Sequence, residues 1–98
     1  MQFVITAFDG ENMLNRRMEV RPRHLENLSK IMGKVVCAGG LLDDSGRMKG
    51  SVMVLDFESR EALDAYLASE PYIAEGVWAD VRVERMNVVI AGGQKVGK

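Results

Sequence analysis

Cysteine, histidine and long apolar runs are scarce in this chain of 98 residues. The one cysteine, Cys37, has no partner for an internal disulfide, which favours a reducing compartment. One histidine without a cysteine pair argues against a zinc site. No apolar run approaches the roughly 20 residues that cross a bilayer as a helix. We therefore expect a cytoplasmic protein without a metal or cofactor.

An excess of charge of either sign is also lacking. Thirteen basic and 14 acidic residues give a net charge of −1. The chain therefore lacks the excess of positive charge that is typical of proteins that bind nucleic acid or an anionic membrane. We expect neither partner. Cys37 lies in the apolar run "KVVCAGGLL", which predicts a buried structural thiol and not a nucleophile.

The apolar pattern divides the chain into six elements in the order β-α-β-β-α-β. The predicted elements are a strand at 2–8, a helix opened by Pro22 and ended by Gly33, strands at 34–42 and 50–58, a helix capped by Ser59, and a last strand at about 79–90. Pro22 suits a first helical position, and Gly33 suits the position after a helix. "DDSG" (43–46) predicts the turn between the second and third strands.

This order is typical of the ferredoxin-like α+β fold, in which two helices cover one face of a four-stranded antiparallel sheet. Both faces of the third strand are apolar, with Val52 and Val54 alternating against Met53. An uncovered apolar face tends to bind a partner, so we predict a homodimer formed through the open sheet face. We expect one domain over residues 1–90 and a flexible C-terminal tail over 91–98.

Two residues at helical positions are candidates for acid–base chemistry. His24 lies four residues before Leu28, so it shares the apolar face of the first helix and is either a packed core residue or a general base. In "SEPYIAEGVW", Glu70 extends the apolar face of the second helix up to Pro71. It is either an exposed terminal acid or the partner of His24, since both helices lie on one face of the sheet. A carboxylate that accepts a proton from imidazole makes the ring a stronger base.

Four other side chains are candidates for binding a substrate or for packing. Arg21 is either a bidentate donor to an anionic substrate or solvated surface. Ser51, which follows Gly50, either adds a hydroxyl to the same pocket or is a simple turn residue. Tyr72 and Trp78 either line a cavity or pack in the core or in a dimer interface.

Five segments occur in a fixed order along most of the chain: "RPRHL" (21–25), "GKVVCAGG" (33–40), "GS" (50–51), "FESREA" (57–62) and "EPYIAEGVW" (70–78). Together they resemble the YCII-related (YciI-like) family of small dimeric α+β barrel proteins. The resemblance implies a homodimer of ferredoxin-like subunits, with a pocket beside the first helix. It also implies a catalytic pair, formed by a histidine at the position of His24 and the aspartate of an Asp-Pro-Tyr motif. Here that motif reads Glu70-Pro71-Tyr72, which keeps the charge and adds a methylene.

These residues and the resemblance predict a small enzyme that acts on a carbonyl- or lactone-type metabolite. His24 would be the general acid or base, Glu70 would orient it, and the substrate would contact Arg21, Ser51 and Tyr72. The alternative is a non-catalytic small-molecule-binding or interaction module, in which His24 is one polar contact. A third reading is a small oxygenase of the dimeric barrel type that acts on aromatic substrates without a cofactor.

Overall fold

The computed structural model describes residues 1–98, which form a sheet, three α-helices and a terminal hairpin. The strands of the sheet are β1 (Gln2–Asp9), β2 (Val35–Leu42), β3 (Met48–Asp56) and β4 (Trp78–Met86). The helices are α1 (Leu14–Ser29), α2 (Arg60–Ala68) and the short α3 (Pro71–Ala74), and the hairpin joins β5 (Ile90–Ala91) to β6 (Gln94–Lys95). The sheet is antiparallel in the order β2-β3-β1-β4. The predicted α+β ferredoxin-like fold is confirmed.

Strand β1 lies in the middle of the core because its alternate residues face the helices. Phe3, Ile5 and Ala7 are at most 1% exposed. Their antiparallel neighbours on β3 are Leu55, Met53 and Ser51 in that order. Since side chains alternate between the two faces of a strand, Ser51 also lies on the helix-covered face.

Helix α1 begins at Leu14, so the predicted start at Pro22 is wrong. Its buried residues recur at spacings of three and four, across the proline: Arg17, Val20, His24 and Leu28. An amphipathic stripe of this length stabilises the helix through packing, although proline removes one backbone donor from its interior. The predicted end at Gly33 is also wrong, because the helix ends at Ser29 and Gly33 lies in a 3₁₀ turn (Met32–Lys34). None of the helices combines the length and the hydrophobicity that a bilayer-spanning helix needs.

The expectation of a buried Cys37 is wrong, because this residue is exposed. Strand β2 is an edge strand that pairs only with β3. Cys37 stands beside Val54, which in turn stands beside Val4 on β1. This register places Cys37 on the face of the sheet away from the helices, where an apolar sequence run does not guarantee burial.

Two local predictions about capping and turns are confirmed. Asp43 Oδ1 accepts hydrogen bonds from the backbone N–H groups of Ser45 and Arg47 at 2.9 and 3.0 Å, which closes the turn between β2 and β3. Ser59 Oγ accepts a hydrogen bond from the N–H of Ala62 at 3.1 Å, so the serine caps α2.

The last strand of the sheet ends at Met86, earlier than the predicted boundary near residue 90. The chain then crosses the uncovered sheet face, where Val88 N donates to Gln2 Oε1 at 3.3 Å and Val88 is 8% exposed. The β5–β6 hairpin turns through Gly92 and Gly93, whose φ angles are +59° and +73°. Positive φ at both central residues is typical of a two-residue hairpin. Residues 91–95, which we expected in a flexible tail, therefore have regular structure.

Gly50 provides a test of how closely the central strands approach. It pairs with Phe8, and a Cβ added to it would collide with the backbone oxygen of Ala7. We expect Gly50→Ala to lower the free energy of unfolding by about 1–3 kcal/mol, because β1 and β3 would have to separate. Gly33→Ala is the control, since a Cβ there meets nothing within 4 Å. Urea unfolding measures both variants, and equal losses of stability would contradict the close approach.

Candidate functional site

A cavity of about 120 Å³ lies between α1 and the core-facing side of β2 and β3. Its lining residues are Arg17, Arg21, His24, Leu25, Leu28, Ala38, Gly39, Gly40, Met48, Ser51, Met53 and Tyr72. Pockets for drug-sized ligands have volumes of about 300–1,000 Å³. The cavity of the single chain therefore suits a small metabolite.

His24 and Glu70 form a buried hydrogen-bonded pair beside this cavity. The distance from His24 Nδ1 to Glu70 Oε1 is 2.6 Å, and the two residues are 7% and 0% exposed. The hydrogen-bond pattern favours Nδ1 as the donor, because an ionised carboxylate only accepts. His24 Nε2 then remains without a partner in the protein. The two helix faces that we expected to converge do meet at these residues.

Glu70 is buried because the backbone turns between α2 and α3. It has extended φ and ψ angles of −70° and 118°, and the following Pro71 occupies the first turn of α3. As the N-cap of that helix, Glu70 accepts a hydrogen bond from Tyr72 N at 3.1 Å through Oε1. Its other oxygen accepts one from the Tyr66 hydroxyl at 2.8 Å. The alternative of an exposed terminal acid is therefore wrong.

Tyr66 holds its proton firmly next to this carboxylate. Burial, together with the negative charge and hydrogen bond of Glu70, raises the pKa of the Tyr66 hydroxyl well above its ordinary value. The hydroxyl therefore stays a donor throughout the physiological pH range. Three donors, from Tyr66, Tyr72 and His24, satisfy the buried carboxylate, which is the condition for burying such a group at a tolerable free-energy cost.

Aromatic rings restrict the orientation of the histidine. The His24 ring stacks on Tyr72 with centroids 4.1 Å apart and an interplanar angle of 19°. Trp78 contacts the His24 ring edge-on, with centroids 6.1 Å apart. Tyr72 is fully buried, its hydroxyl has no partner in the protein, and burial raises its pKa. Tyr72 therefore lines the cavity as a residue whose buried hydroxyl stays protonated.

The other predicted binding residues also reach this cavity. Ser51 is 3% exposed and lines it, as does Arg21, whose guanidinium makes no ion pair. Arg23, two residues further along α1, points away and lies 3.7 Å from Glu75 with a 55% exposed side chain. One cavity is thus lined by Arg21, His24, Ser51 and Tyr72. Glu70 does not line it but accepts a hydrogen bond from His24.

Arg17 and Asp9 are polar residues of the site that the sequence analysis missed. Arg17 is 3% exposed, and its Nη1 donates to Asp9 Oδ1 and Oδ2 at 2.9 and 3.2 Å. Burial raises the pKa of the Asp9 carboxyl, and the charge of Arg17 opposes this shift. A helix starting at Leu14 would have placed Arg17 seven residues before His24 on the same face. The assumed start at Pro22 hid that signal.

The arrangement presents hydrogen-bond donors and one basic nitrogen to a bound molecule. Arg21, Ser51 and Tyr72 each carry N–H or O–H groups, and His24 Nε2 accepts a proton when the ring is neutral. No group of three or more His, Cys, Asp or Glu side chains lies close enough together to hold a metal ion. These groups suit general acid–base chemistry on a molecule with acceptor oxygens.

Comparison with protein families and sequences identifies close relatives of this chain. Residues 1–87 match the YCII-related domain. Protein YciI of Escherichia coli O6:H1 is 36% identical over 92 residues, which cover 86% of this chain and 94% of that protein.

Solved structures with the same fold include one with a bound ligand. The 5-chloro-2-hydroxyhydroquinone dehydrochlorinase TftG of Burkholderia phenoliruptrix AC1100, in complex with 2,5-dihydroxybenzoquinone, is 26% identical with a TM-score of 0.82. The match covers 88% of this chain and 93% of TftG. An antibiotic biosynthesis monooxygenase shares the fold at 15% identity and a TM-score of 0.58, with 91% and 98% of the two chains covered.

The contact between His24 and Glu70 can be tested through the tautomer of the only histidine. We expect the neutral ring to carry its proton on Nδ1, because the carboxylate accepts from that nitrogen. The ¹⁵N chemical shifts of the ring, recorded at a pH where it is neutral, distinguish the two nitrogens. Glu70→Ala should shift the proton towards Nε2, the tautomer that a free histidine side chain prefers.

Glu75→Ala is the matched control for this measurement. Glu75 lies in the same segment but pairs with Arg16 and Arg23 on the surface. The Glu75→Ala variant should therefore leave the tautomer of His24 unchanged. An Nε2-protonated ring in the unmodified protein would show that the pair does not form in solution.

Proposed function

This chain belongs to the YCII-related family, and we propose that it is a small-molecule enzyme. In this proposal the substrate is a carbonyl-, lactone- or quinone-type metabolite, and His24 removes a proton from it and later returns the proton. The observation that carries the proposal is the 2.6 Å contact between His24 Nδ1 and the fully buried Glu70 carboxylate. It leaves Nε2 as the reactive nitrogen of a residue that lines the cavity.

In the proposed reaction, Nε2 removes a proton from a carbon next to the carbonyl group. The C–H bond breaks, the proton bonds to Nε2, and the electron pair moves to the carbonyl oxygen as an enolate. Glu70 stabilises the imidazolium that forms, since an opposite charge at this distance favours the charged ring. Arg21, Ser51 and Tyr72 donate hydrogen bonds to the substrate oxygens, where negative charge develops.

The imidazolium then returns the proton. Its return to a different carbon completes an isomerisation. In an elimination the enolate re-forms the carbonyl, the bond to the leaving group breaks with its electron pair, and the imidazolium gives its proton to the leaving group or to solvent. No oxidant or reductant enters either route, so the chemistry needs only the residues of the cavity. We propose on this basis that the enzyme works without a cofactor.

The dehydrochlorinase TftG supports this reaction class. Dehydrochlorination removes a proton and a chloride ion, a process that a positioned base assists. TftG also binds 2,5-dihydroxybenzoquinone, a small planar molecule with four oxygens, and its fold matches this chain with a TM-score of 0.82. We propose that this protein acts on a molecule of similar size that presents carbonyl or ionised hydroxyl oxygens.

We further propose that the protein is a cytoplasmic homodimer formed through the open sheet face. An unpaired, exposed thiol at Cys37 suits a reducing compartment. On the open face, Phe8 is 38% exposed, and Val4 and Val52 are only partly covered. The C-terminal segment covers the end of this face near Val54, so the second subunit would occupy the remainder.

Proton removal can be tested before the natural reaction is known. A general base exchanges an acidic C–H proton with solvent deuterium even when later steps are absent. We expect the protein to accelerate exchange in at least one member of a panel of small ketones, lactones and hydroxyquinones, followed by ¹H NMR in D₂O. His24→Ala should slow this exchange by about 100- to 10,000-fold.

Glu26→Ala, on the exposed side of the same helix, is the control for this assay and should keep the full exchange rate. Panel members that bind without any exchange would contradict the enzyme proposal. They would favour the alternative, a non-catalytic small-molecule-binding module.

The dimer can be tested by light scattering coupled to size exclusion. We expect a mass of twice the subunit at micromolar concentration, and we expect Val52→Asp to give monomers because it places a charge in an apolar interface. Met32→Asp is the control, since Met32 is 62% exposed outside the sheet. Circular dichroism verifies that both variants fold. A monomeric unmodified protein would refute the dimer.

A further inference from the structure

Arg17 is the most constrained charged side chain next to the cavity. Its Nη1 binds both oxygens of Asp9, and its Nη2 donates to Ser51 Oγ at 2.8 Å. The guanidinium carbon lies 4.6 Å from the centroid of the Tyr72 ring. Gly40 packs beside the guanidinium, since a Cβ built there would lie in ordinary van der Waals contact with Nη2, at 3.6 Å.

These contacts leave Arg17 poorly suited to bind a substrate anion directly. Asp9 compensates its charge, and the ion pair is buried, with side-chain exposures of 3% and 6%. Both terminal nitrogens already have partners, and Nε, which has none, is itself buried. Arg21, which lines the same cavity without an ion pair, is the better candidate for attracting a negative charge.

The contact with Arg17 determines what Ser51 can do. An arginine has no acceptor, so Ser51 Oγ must be the acceptor in this hydrogen bond. The hydroxyl proton of Ser51 is then free to be donated elsewhere, and Ser51 lines the cavity. The Tyr72 hydroxyl also lacks a protein partner, but this atom is itself buried. The Ser51 hydroxyl is therefore the one that suits an acceptor oxygen of a bound molecule.

We propose that Arg17 is a positioning residue of this site: held by Asp9, it orients the Ser51 hydroxyl so that this group donates to a carbonyl or ionised hydroxyl oxygen of the bound molecule. This inference rests on the proposed function, because it assigns a ligand chemistry to the same cavity. It adds a residue pair, Arg17 and Asp9, that acts on the ligand only through Ser51.

A double-mutant cycle tests the proposal with 2,5-dihydroxybenzoquinone as the ligand, by titration calorimetry. We expect Ser51→Ala and Arg17→Lys each to weaken binding about tenfold, the effect of losing one hydrogen bond to a charged or strongly polar oxygen. Lysine keeps the charge but lacks the planar fork that spans Asp9 and Ser51. The double variant should be no weaker than either single variant, because both changes remove the same hydrogen bond.

Two control variants distinguish a positioning role of Arg17 from a purely electrostatic effect of its charge on binding. Arg16→Lys alters the neighbouring arginine, which pairs with Glu19 and Glu75 outside the cavity, and should leave the affinity unchanged. Arg21→Gln should weaken binding in a way that added salt reduces, since it removes an uncompensated charge. The effect of Arg17→Lys should persist in salt.

Three results would overturn the proposal. Additive losses in the double variant would mean that Arg17 and Ser51 act independently. An unchanged affinity in Ser51→Ala would remove the hydrogen bond on which the inference depends. Failure of the unmodified protein to bind the quinone would refute the assigned ligand chemistry. If Arg17→Lys does not fold, Asp9→Asn replaces it, and the same coupling with Ser51→Ala is expected.

The binding cycle is independent of the proton-exchange assay. Coupling between Arg17 and Ser51 without any deuterium exchange would preserve the positioning role and refute the enzyme. Exchange that depends on His24 but shows no coupling would preserve the enzyme and refute the positioning role.

Discussion

The buried carboxylate of Glu70 is the interaction on which the rest of the site depends. A carboxylate removed from water destabilises a fold unless hydrogen bonds and an opposite charge compensate it. Here it accepts from Tyr66 on α2, from the backbone of Tyr72 on α3 and from His24 on α1. One side chain therefore joins all three helices, and loss of this group would leave buried donors unpaired on each of them.

The same carboxylate caps a helix and contacts His24 with a side chain longer than those that helix caps usually carry. Helix N-caps favour Ser, Thr, Asp and Asn, whose short side chains reach the backbone of the first turn. Glu70 fulfils that capping role with a longer side chain, through a 3.1 Å bond from Tyr72 N. The same side chain also reaches the histidine, with a contact of 2.6 Å.

The parts predicted from sequence are those with a strong local signal. Apolar alternation revealed the four strands, and the spacing of His24 and Glu70 on two helix faces anticipated their contact. Pro22 was an ambiguous signal, because proline suits the start of a helix but is also tolerated inside a helix with a long buried stripe. The predicted start at Pro22 left Arg17 outside the helix, so its position on the buried face was not recognised. Cys37 was misjudged because burial on an edge strand depends on what covers the sheet, which no local pattern records.

Tyr72 connects the two chemically different halves of the cavity. On one side its ring stacks on His24, and the same ring contacts the guanidinium of Arg17 at 4.6 Å. The first half is the imidazole–carboxylate pair, which can take up and release a proton. The second is the buried Arg17–Asp9 pair, in which Arg17 also donates to the Ser51 hydroxyl. Because one buried ring contacts both, a shift of Tyr72 would move His24 and Arg17 relative to each other. Proton transfer tolerates little misplacement of this kind, so the packing of Tyr72 is as important to the site as the charges around it.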